Sequence, residues 1–195
     1  MTVVTEEFQF GGRLSLDLTW TLRYRAIAAV ELLHSPDELR RWITTAIAPV
    51  RGPLTTGDLN AAVRLREAVY AAAVATIDGR PVRESDRAVL NDCAARPAAW
   101  RRLQRTGRSV LELRPDDQVG SALATVAADA IAVLAAADGR LRLCEGPGCS
   151  LVFYDSSRPG RRRWCSTERC GNRVNATTYR RRKAGGTTRD EETPC

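Results

Sequence analysis

Four cysteines between residues 144 and 170 constrain the fold of this chain more than any other feature of its sequence. Cys144, Cys149, Cys165 and Cys170 follow the spacing Cys-x4-Cys, fifteen residues, Cys-x4-Cys. Two thiol pairs separated by a short insert are typical of zinc sites, and four thiolates around Zn²⁺ leave no position for water or substrate. A segment of about forty residues buries too little apolar surface to fold without the metal. We therefore predict one structural Zn²⁺ held by these four cysteines.

The rest of the composition is that of a globular protein. The chain has 195 residues, of which 44% are hydrophobic, which suffices for one well-buried domain and a small appendage. The first ten residues are acidic and lack the features of a signal peptide, and we expect no apolar run as long as a membrane span. We expect a cytoplasmic, bacterial-type protein without a membrane partner. In that reducing compartment clustered cysteines favour metal binding over disulfides.

The positive charge of the chain is concentrated in one segment. The formal net charge is +7, and residues 141–183 alone carry 11 Lys and Arg against 3 Asp and Glu, a formal +8. Such a basic surface predicts an acidic polymer as partner, and DNA is the first candidate. The alternative is a compositional preference for arginine, because Lys183 is the only lysine.

The N-terminal part, residues 1–140, is predicted to be a mostly helical α+β domain with a small sheet. Residues 13–18 alternate polar and apolar side chains, which predicts a strand that pairs with residues 8–10 across Gly11 and Gly12. Capping signals and apolar periodicity predict the helices, and short apolar runs predict further strands. The predicted helices are 36–48, 59–79, one that starts at 85, and 118–138, and the predicted strands are 110–113, 141–143 and 151–154.

The C-terminal part is predicted to be a four-cysteine zinc-finger module, residues 141–183, that ends in a basic helix, with a disordered tail at 184–195. The strand at 141–143 runs directly into the first cysteine, so we expect the two parts to pack together. Residues 169–183 lack proline, and their arginines would share one broad helix face that can enter a major groove. A solvated basic face is the alternative. The candidate DNA contacts are Arg158, Arg161, Arg162, Arg163, Asn172, Arg173, Asn175, Arg180, Arg181, Arg182 and Lys183.

Several motifs of this module resemble the CGNR zinc-finger family. They are Cys144-x4-Cys149, FYDSSR at 153–158, RRWCS at 162–166 and CGNR at 170–173. That family joins its finger to an N-terminal ABATE domain, and its members are described as stress-induced transcription regulators. The resemblance extends to residues 11–18 and 65–69 and covers nearly the whole chain. It implies zinc binding by the four cysteines. Trp20 departs from the family, which usually has Asn at that position, and Asn175 stands where the family often has Lys.

No catalytic constellation accompanies the finger. His34 is the only histidine, and the chain has no phosphate-binding glycine loop or dinucleotide fingerprint. Arg13 and Asp17 would share one face of the predicted strand and line a pocket for a small-molecule effector, with a surface ion pair as the alternative.

We predict that the protein is not an enzyme but a zinc-dependent, DNA-binding transcriptional regulator whose N-terminal domain senses a ligand or forms a homodimer. Two alternatives stay open. One is a zinc ribbon that binds another protein of the transcription machinery. The other is a ligand-binding or enzymatic N-terminal domain that the finger targets.

Overall fold

The computed structural model describes residues 7–172. Three groups of predictions lie outside the described residues: the DNA contacts Arg173, Asn175 and 180–183, most of the basic helix, and the disordered tail. The domain boundaries at 140 and 183 stay predictions.

The described part of the chain is helical with three small antiparallel sheets. Strands β1 and β2, β3 and β4, and β5 and β6 form the three pairs. The prediction of a mostly helical α+β part followed by a small cysteine-containing module is confirmed. In chain order the elements are α1 Leu14–Thr19, β1 Leu22–Arg23, β2 Val30–Glu31, α2 Pro36–Ala46, α3 Thr56–Ile77, α4 Glu84–Ala94, β3 Trp100–Leu103, β4 Ser109–Glu112, α5 Gln118–Ala135, β5 Leu141–Leu143, β6 Val152–Tyr154 and a π-helical turn, Thr167–Gly171.

The two longest helices, α3 and α5, form the centre of the N-terminal part. Helix α3 begins at a capping box in which the Asp58 amide donates to the Thr55 hydroxyl (3.2 Å) and the Thr55 amide donates to the Asp58 carboxylate (2.7 Å). Helix α5 begins at Asp117, whose carboxylate accepts a hydrogen bond from the Gly120 amide (2.9 Å). The predicted helices correspond to α2, α3, α4 and α5, because such start signals are local in sequence.

Helix α5 is more apolar than the sequence reading allowed. Its 18 residues have a mean hydropathy of 1.6, which by length and composition is enough to cross a membrane. The expectation that no run reaches that length is wrong. Half of this window is buried inside the protein, against α1, α3 and α4. The composition of α5 is therefore that of a helix at the centre of a core.

The segment predicted to be an N-terminal strand is helix α1. The alternation of polar and apolar residues is real, but the polar residues are buried too and have specific partners. The Ser15 amide and hydroxyl donate to Asp129 in α5 (2.8 and 2.6 Å), and the Thr19 hydroxyl donates to the Leu16 carbonyl (2.7 Å). The alternation of polar and apolar residues therefore does not separate a buried face from an exposed face. The prediction of a strand at residues 13–18 is wrong.

The predicted hairpin turn at the two glycines is also wrong. Residues 8–10 form no strand. A Cβ atom on Gly11 would lie 2.8 Å from the Trp20 ring, and Gly12 has a φ of +89°. Gly11 is required by its close packing against the Trp20 ring, and Gly12 is required by its left-handed backbone.

Candidate metal centre

The four predicted ligands converge on one buried point. All four Sγ atoms lie within 4.8 Å of one another. The Sγ atoms of Cys149 and Cys165 are 3.8 Å apart, and those of Cys165 and Cys170 are 3.7 Å apart. Thiolates at about 2.3 Å from a tetrahedral Zn²⁺ lie about 3.8 Å from each other. The spacing of the sulfur atoms therefore fits one zinc ion.

Two loops shape the cluster. Cys144 directly follows β5, and its amide donates to the Leu151 carbonyl (2.9 Å), which keeps the β5–β6 hairpin closed at its metal end. The Cys144 sulfur accepts hydrogen bonds from the amides of Gly146 (3.4 Å) and Cys165 (3.3 Å). A Cβ atom at residue 146 would lie 2.8 Å from the Cys170 sulfur, so only glycine fits there. Gly146 is thus part of the site.

The close contact of three of the thiols shifts their pKa values. Hydrogen bonds from the thiols of Cys149 and Cys165 lower the pKa of Cys144 to about 2. The hydrogen bond with Cys144 raises the pKa of Cys149 to about 12. The hydrogen bond between Cys165 and Cys144 raises the pKa of Cys165 well above its usual range. The Cys144 thiolate therefore opposes ionisation of Cys149 and Cys165. A divalent cation would stabilise the remaining thiolates, and zinc supplies that charge and orders both loops when it binds.

Trp20 from the N-terminal part completes the hydrophobic core around the cysteines. Its ring is 5% exposed and packs with Leu151, Phe153 and the thiols. Its Nε1 donates to the Val152 carbonyl in β6 (2.7 Å). Sequence reasoning noted Trp20 as a departure from the family but did not find this role, because its partners lie more than 120 residues away. The expectation that the two parts pack together is confirmed.

A network of charged side chains makes a second connection between the two parts. The Arg25 amide donates to the Ser150 hydroxyl in the finger (2.9 Å), and the Arg25 guanidinium binds the Glu67 carboxylate on α3 (2.6 and 3.1 Å). Arg66, which is 2% exposed, donates to Glu31 (2.6 and 2.8 Å) and to Glu67 (2.8 Å). The 65–69 motif therefore anchors β2 and, through Arg25, the finger.

Asp155 organises the basic loop that follows β6. Its buried carboxylate accepts hydrogen bonds from the Ser157 amide (2.9 Å) and hydroxyl (2.6 Å) and from the Arg162 amide (2.7 Å). The bond from the Ser157 hydroxyl is the main reason that the pKa of Asp155 falls to about 2. Arg140 donates to the carbonyls of Asp155 and Ser157 (both 2.8 Å). The loop is thus held at both ends.

The predicted DNA contacts on this loop divide into exposed and structural arginines. Within residues 7–172, Arg158 and Arg161 are exposed and their guanidinium groups have no protein partner. Arg162 turns inward, where its guanidinium donates to the carbonyls of Trp164 (2.8 Å) and Cys165. Arg163 pairs with Glu145 (2.6 Å).

Trp164 and Asn172 are two further polar or aromatic side chains of the finger. Trp164 is partly buried against the cluster, which agrees with a packing role, and Asn172 is exposed just after the π-helical turn. Structural arguments therefore favour Arg158, Arg161 and Asn172 over Arg162 as ligand-facing residues.

Arg13 and Asp17 do not form the arrangement predicted from a strand. Arg13 precedes α1, pairs with Asp129 (3.8 Å) and lies over the Tyr154 ring (4.6 Å). Asp17 is 5% exposed, and its carboxylate accepts a hydrogen bond from the Gly11 amide. The two side chains have different partners, so the geometric basis for an effector pocket at this pair is lost, as is the alternative of a mutual ion pair.

The buried carboxyl of Asp17 makes stability depend on pH. Burial raises the pKa of Asp17 to about 6, and the nearby Asp129 charge adds to this effect. Because the folded protein then binds this proton more tightly than the unfolded chain, stability should rise as pH falls from about 6.5 to about 5. We expect wild type to gain about 1 kcal/mol over this window relative to Asp17→Asn. Urea unfolding of both proteins at each pH measures this difference, and parallel pH profiles would contradict it.

Two family models match the chain. The ABATE model, described as "Putative stress-induced transcription regulator", matches residues 12–137. The CGNR zinc finger model matches residues 140–183. The two matches follow in the order that the sequence motifs predicted. A comparison with curated proteins gives no match.

Proposed function

The chain belongs to the ABATE family and carries a CGNR zinc finger after its ABATE region, and on this basis we propose that it is a zinc-dependent, DNA-binding transcriptional regulator. By family and by its four-cysteine cluster it is a zinc-binding regulator. In the proposal, the finger and the basic segment that follows it contact DNA, and the ABATE region senses an effector or dimerises.

The observation that supports DNA binding is the presentation of free arginines beside the metal centre. Arg158 and Arg161 lie on the loop held by Asp155, and no protein carboxylate has to be displaced before a phosphate can bind them. Exposed Asn172 leads into a segment with Arg173, Asn175 and the 180–183 cluster. These residues would provide phosphate contacts and, through the amides, hydrogen bonds to bases.

Binding to duplex DNA should depend steeply on salt. If about five side chains neutralise phosphates, a plot of log affinity against log salt should have a slope of about -4 to -5, because each contact contributes about -0.9. Fluorescence anisotropy of the zinc-loaded protein with mixed-sequence duplexes over a salt series measures this slope. Replacing Arg180, Arg181, Arg182 and Lys183 with Gln should reduce the slope by about 3 to 4.

Other results would point away from this proposal. A slope near zero for the wild type would overturn it. Affinity that survives neutralisation of the 180–183 cluster and of Arg158 and Arg161 would remove the finger from the DNA interface and favour a protein partner instead.

The proposed role of the ABATE region rests on its contacts with the finger. Trp20 and Arg25 connect α1 and the β1–β2 region to β6 and Ser150, so a change in the ABATE region would reach the metal module. Sedimentation velocity of the zinc-loaded protein at micromolar concentration tests dimerisation. A monomer at all concentrations would leave effector sensing as the proposed role.

A further inference from the structure

The β3–β4 hairpin forms a second basic element away from the finger. Residues 100–114 contain five arginines and one glutamate, a formal +4 in fifteen residues. Since residues 141–183 carry a formal +8 and the whole chain +7, the chain outside both segments carries a formal -5. The positive charge outside the finger is therefore concentrated on this hairpin.

The charge of the hairpin is not neutralised within the protein. In the described range 7–172, the side chains of Arg101, Arg105 and Arg108 are exposed and make no ion pair or hydrogen bond. Arg102 pairs with Glu112 (2.5 Å), and Arg114 lies over the Trp100 ring (4.8 Å). Three arginines, Arg105 and Arg108 at the tip and Arg101 near the base of the hairpin, are thus available to an anionic ligand.

Three exposed arginines around the start of α4 behave differently. Arg83 pairs with Asp86 (2.7 Å), and Arg80 pairs with Asp78 (2.7 Å). Arg87 pairs with Glu84. A general preference for arginine would place arginines across the surface, where each can pair with a nearby acidic residue. It does not explain three arginines on one hairpin that have no acidic partner.

The hairpin is a rigid platform. Its tip is closed by hydrogen bonds from the Gln104 amide to the Arg108 carbonyl (2.8 Å) and from the Gly107 amide to the Gln104 carbonyl (2.9 Å), with Gly107 at a φ of +78°. This geometry is a tight hairpin turn that needs glycine at the left-handed position. At its base, the Ala99 amide donates to the Thr125 hydroxyl of α5 (2.9 Å). The backbone positions of the arginines are therefore set by the hairpin.

The hairpin and the finger are joined in the chain to opposite ends of α5. Strand β4 leads into the first turn of this 18-residue helix, and β5 follows its last turn. At 1.5 Å per residue this helix is about 27 Å long, and the base of the hairpin at Ala99 contacts Thr125 near its middle. Half to all of that length corresponds to about four to eight phosphates along one DNA strand. Two elements so far apart would contact separate stretches of backbone, and their contributions to binding should add.

We propose that the β3–β4 hairpin is a second DNA-contacting element, which binds backbone phosphates through Arg101, Arg105 and Arg108. This inference rests on the proposed DNA-binding function and extends it from the finger to the ABATE region. A two-stranded ribbon with free arginines suits phosphate binding, and it carries few groups that could read base edges. It therefore contributes affinity and salt dependence without sequence preference.

The test compares two triple variants of the full-length, zinc-loaded protein. Arg101→Gln/Arg105→Gln/Arg108→Gln removes the free arginines, and Arg80→Gln/Arg83→Gln/Arg87→Gln removes the same formal charge from arginines that already have acidic partners. In the anisotropy salt series, with three hairpin contacts added to the five of the finger, the wild-type slope should be about -7 at about -0.9 per contact; the hairpin variant should reduce its magnitude by about 3 and the control variant by less than about 1. The loss should be equal for unrelated duplex sequences.

The outcomes separate this inference from the proposed function of the finger. An unchanged slope in the hairpin variant, with binding lost in the 180–183 variant, would overturn the hairpin assignment alone. A slope that falls only in the hairpin variant would support the hairpin and overturn the role of the finger. Equal losses of slope in the hairpin and control variants would show that only net charge matters and would overturn the hairpin assignment. Absence of DNA binding by the wild type would overturn both the hairpin assignment and the proposed function of the finger.

Discussion

Loss of the zinc ion should unfold the finger while the helices of the ABATE region stay folded. Structural zinc sites of this kind contribute about 10 kcal/mol or more of binding energy to folding, and no other interaction in so small a module is comparable. Removing the metal with a strong chelator, or replacing Cys165 with Ser, should abolish amide protection in β5 and β6. Zinc analysis of the wild type should give one ion per chain, and circular dichroism should retain the signal of α2 to α5.

A matched control for this prediction is available on α4. Cys93 is a free cysteine outside the cluster, so Cys93→Ser should leave the zinc content and finger protection unchanged. Protection of β5 and β6 that persists in the chelated protein would contradict a structural role of the metal. Loss of zinc from Cys93→Ser would contradict the assignment of the ligands.

Truncation of Trp20 should destabilise both the finger and its contact with the ABATE region. Trp20→Ala removes a buried ring from the core around the thiols and leaves the Val152 carbonyl without its donor. The expected loss in the free energy of unfolding is about 3 to 5 kcal/mol. Because the ring belongs to the ABATE region, the variant should also release zinc to a competing chelator faster than the wild type.

A conservative change separates the two contributions of Trp20. Trp20→Phe keeps an aromatic ring and removes the indole N–H, so its cost should be about 1 to 2 kcal/mol. Urea unfolding followed by circular dichroism measures both variants, with Leu103→Ala as a surface control because Leu103 is 75% exposed. Wild-type stability and zinc release in Trp20→Ala would contradict the packing described for this residue.

The metal site and most helices were predictable because their determinants are local. Two pairs of thiols at this spacing are typical of zinc sites, and the chemistry of sulfur with zinc does not depend on the rest of the fold. The start of α3 follows from Thr55 and Asp58, which are three residues apart. Such short-range signals act in the same way in most contexts.

The failures of the sequence reading share a different cause. Residues 14–19 look like a strand only if Ser15, Asp17 and Thr19 face water, and each of them is buried with a partner. One of those partners is Asp129, which is 114 residues away. Alternation in hydrophobicity predicts a strand only when polar side chains are exposed, and long-range hydrogen bonds remove that condition.

The zinc chemistry, the helical character of the N-terminal part and the concentration of positive charge near the finger therefore follow from the order of the amino acids. Tertiary packing decided that Trp20 belongs to the core of the finger, that Arg162 faces inward while Arg158 and Arg161 face outward, and that three arginines of the β3–β4 hairpin have no acidic partner. These assignments depend on which groups meet across the fold, because a side chain's partners and exposure are set by residues distant in sequence.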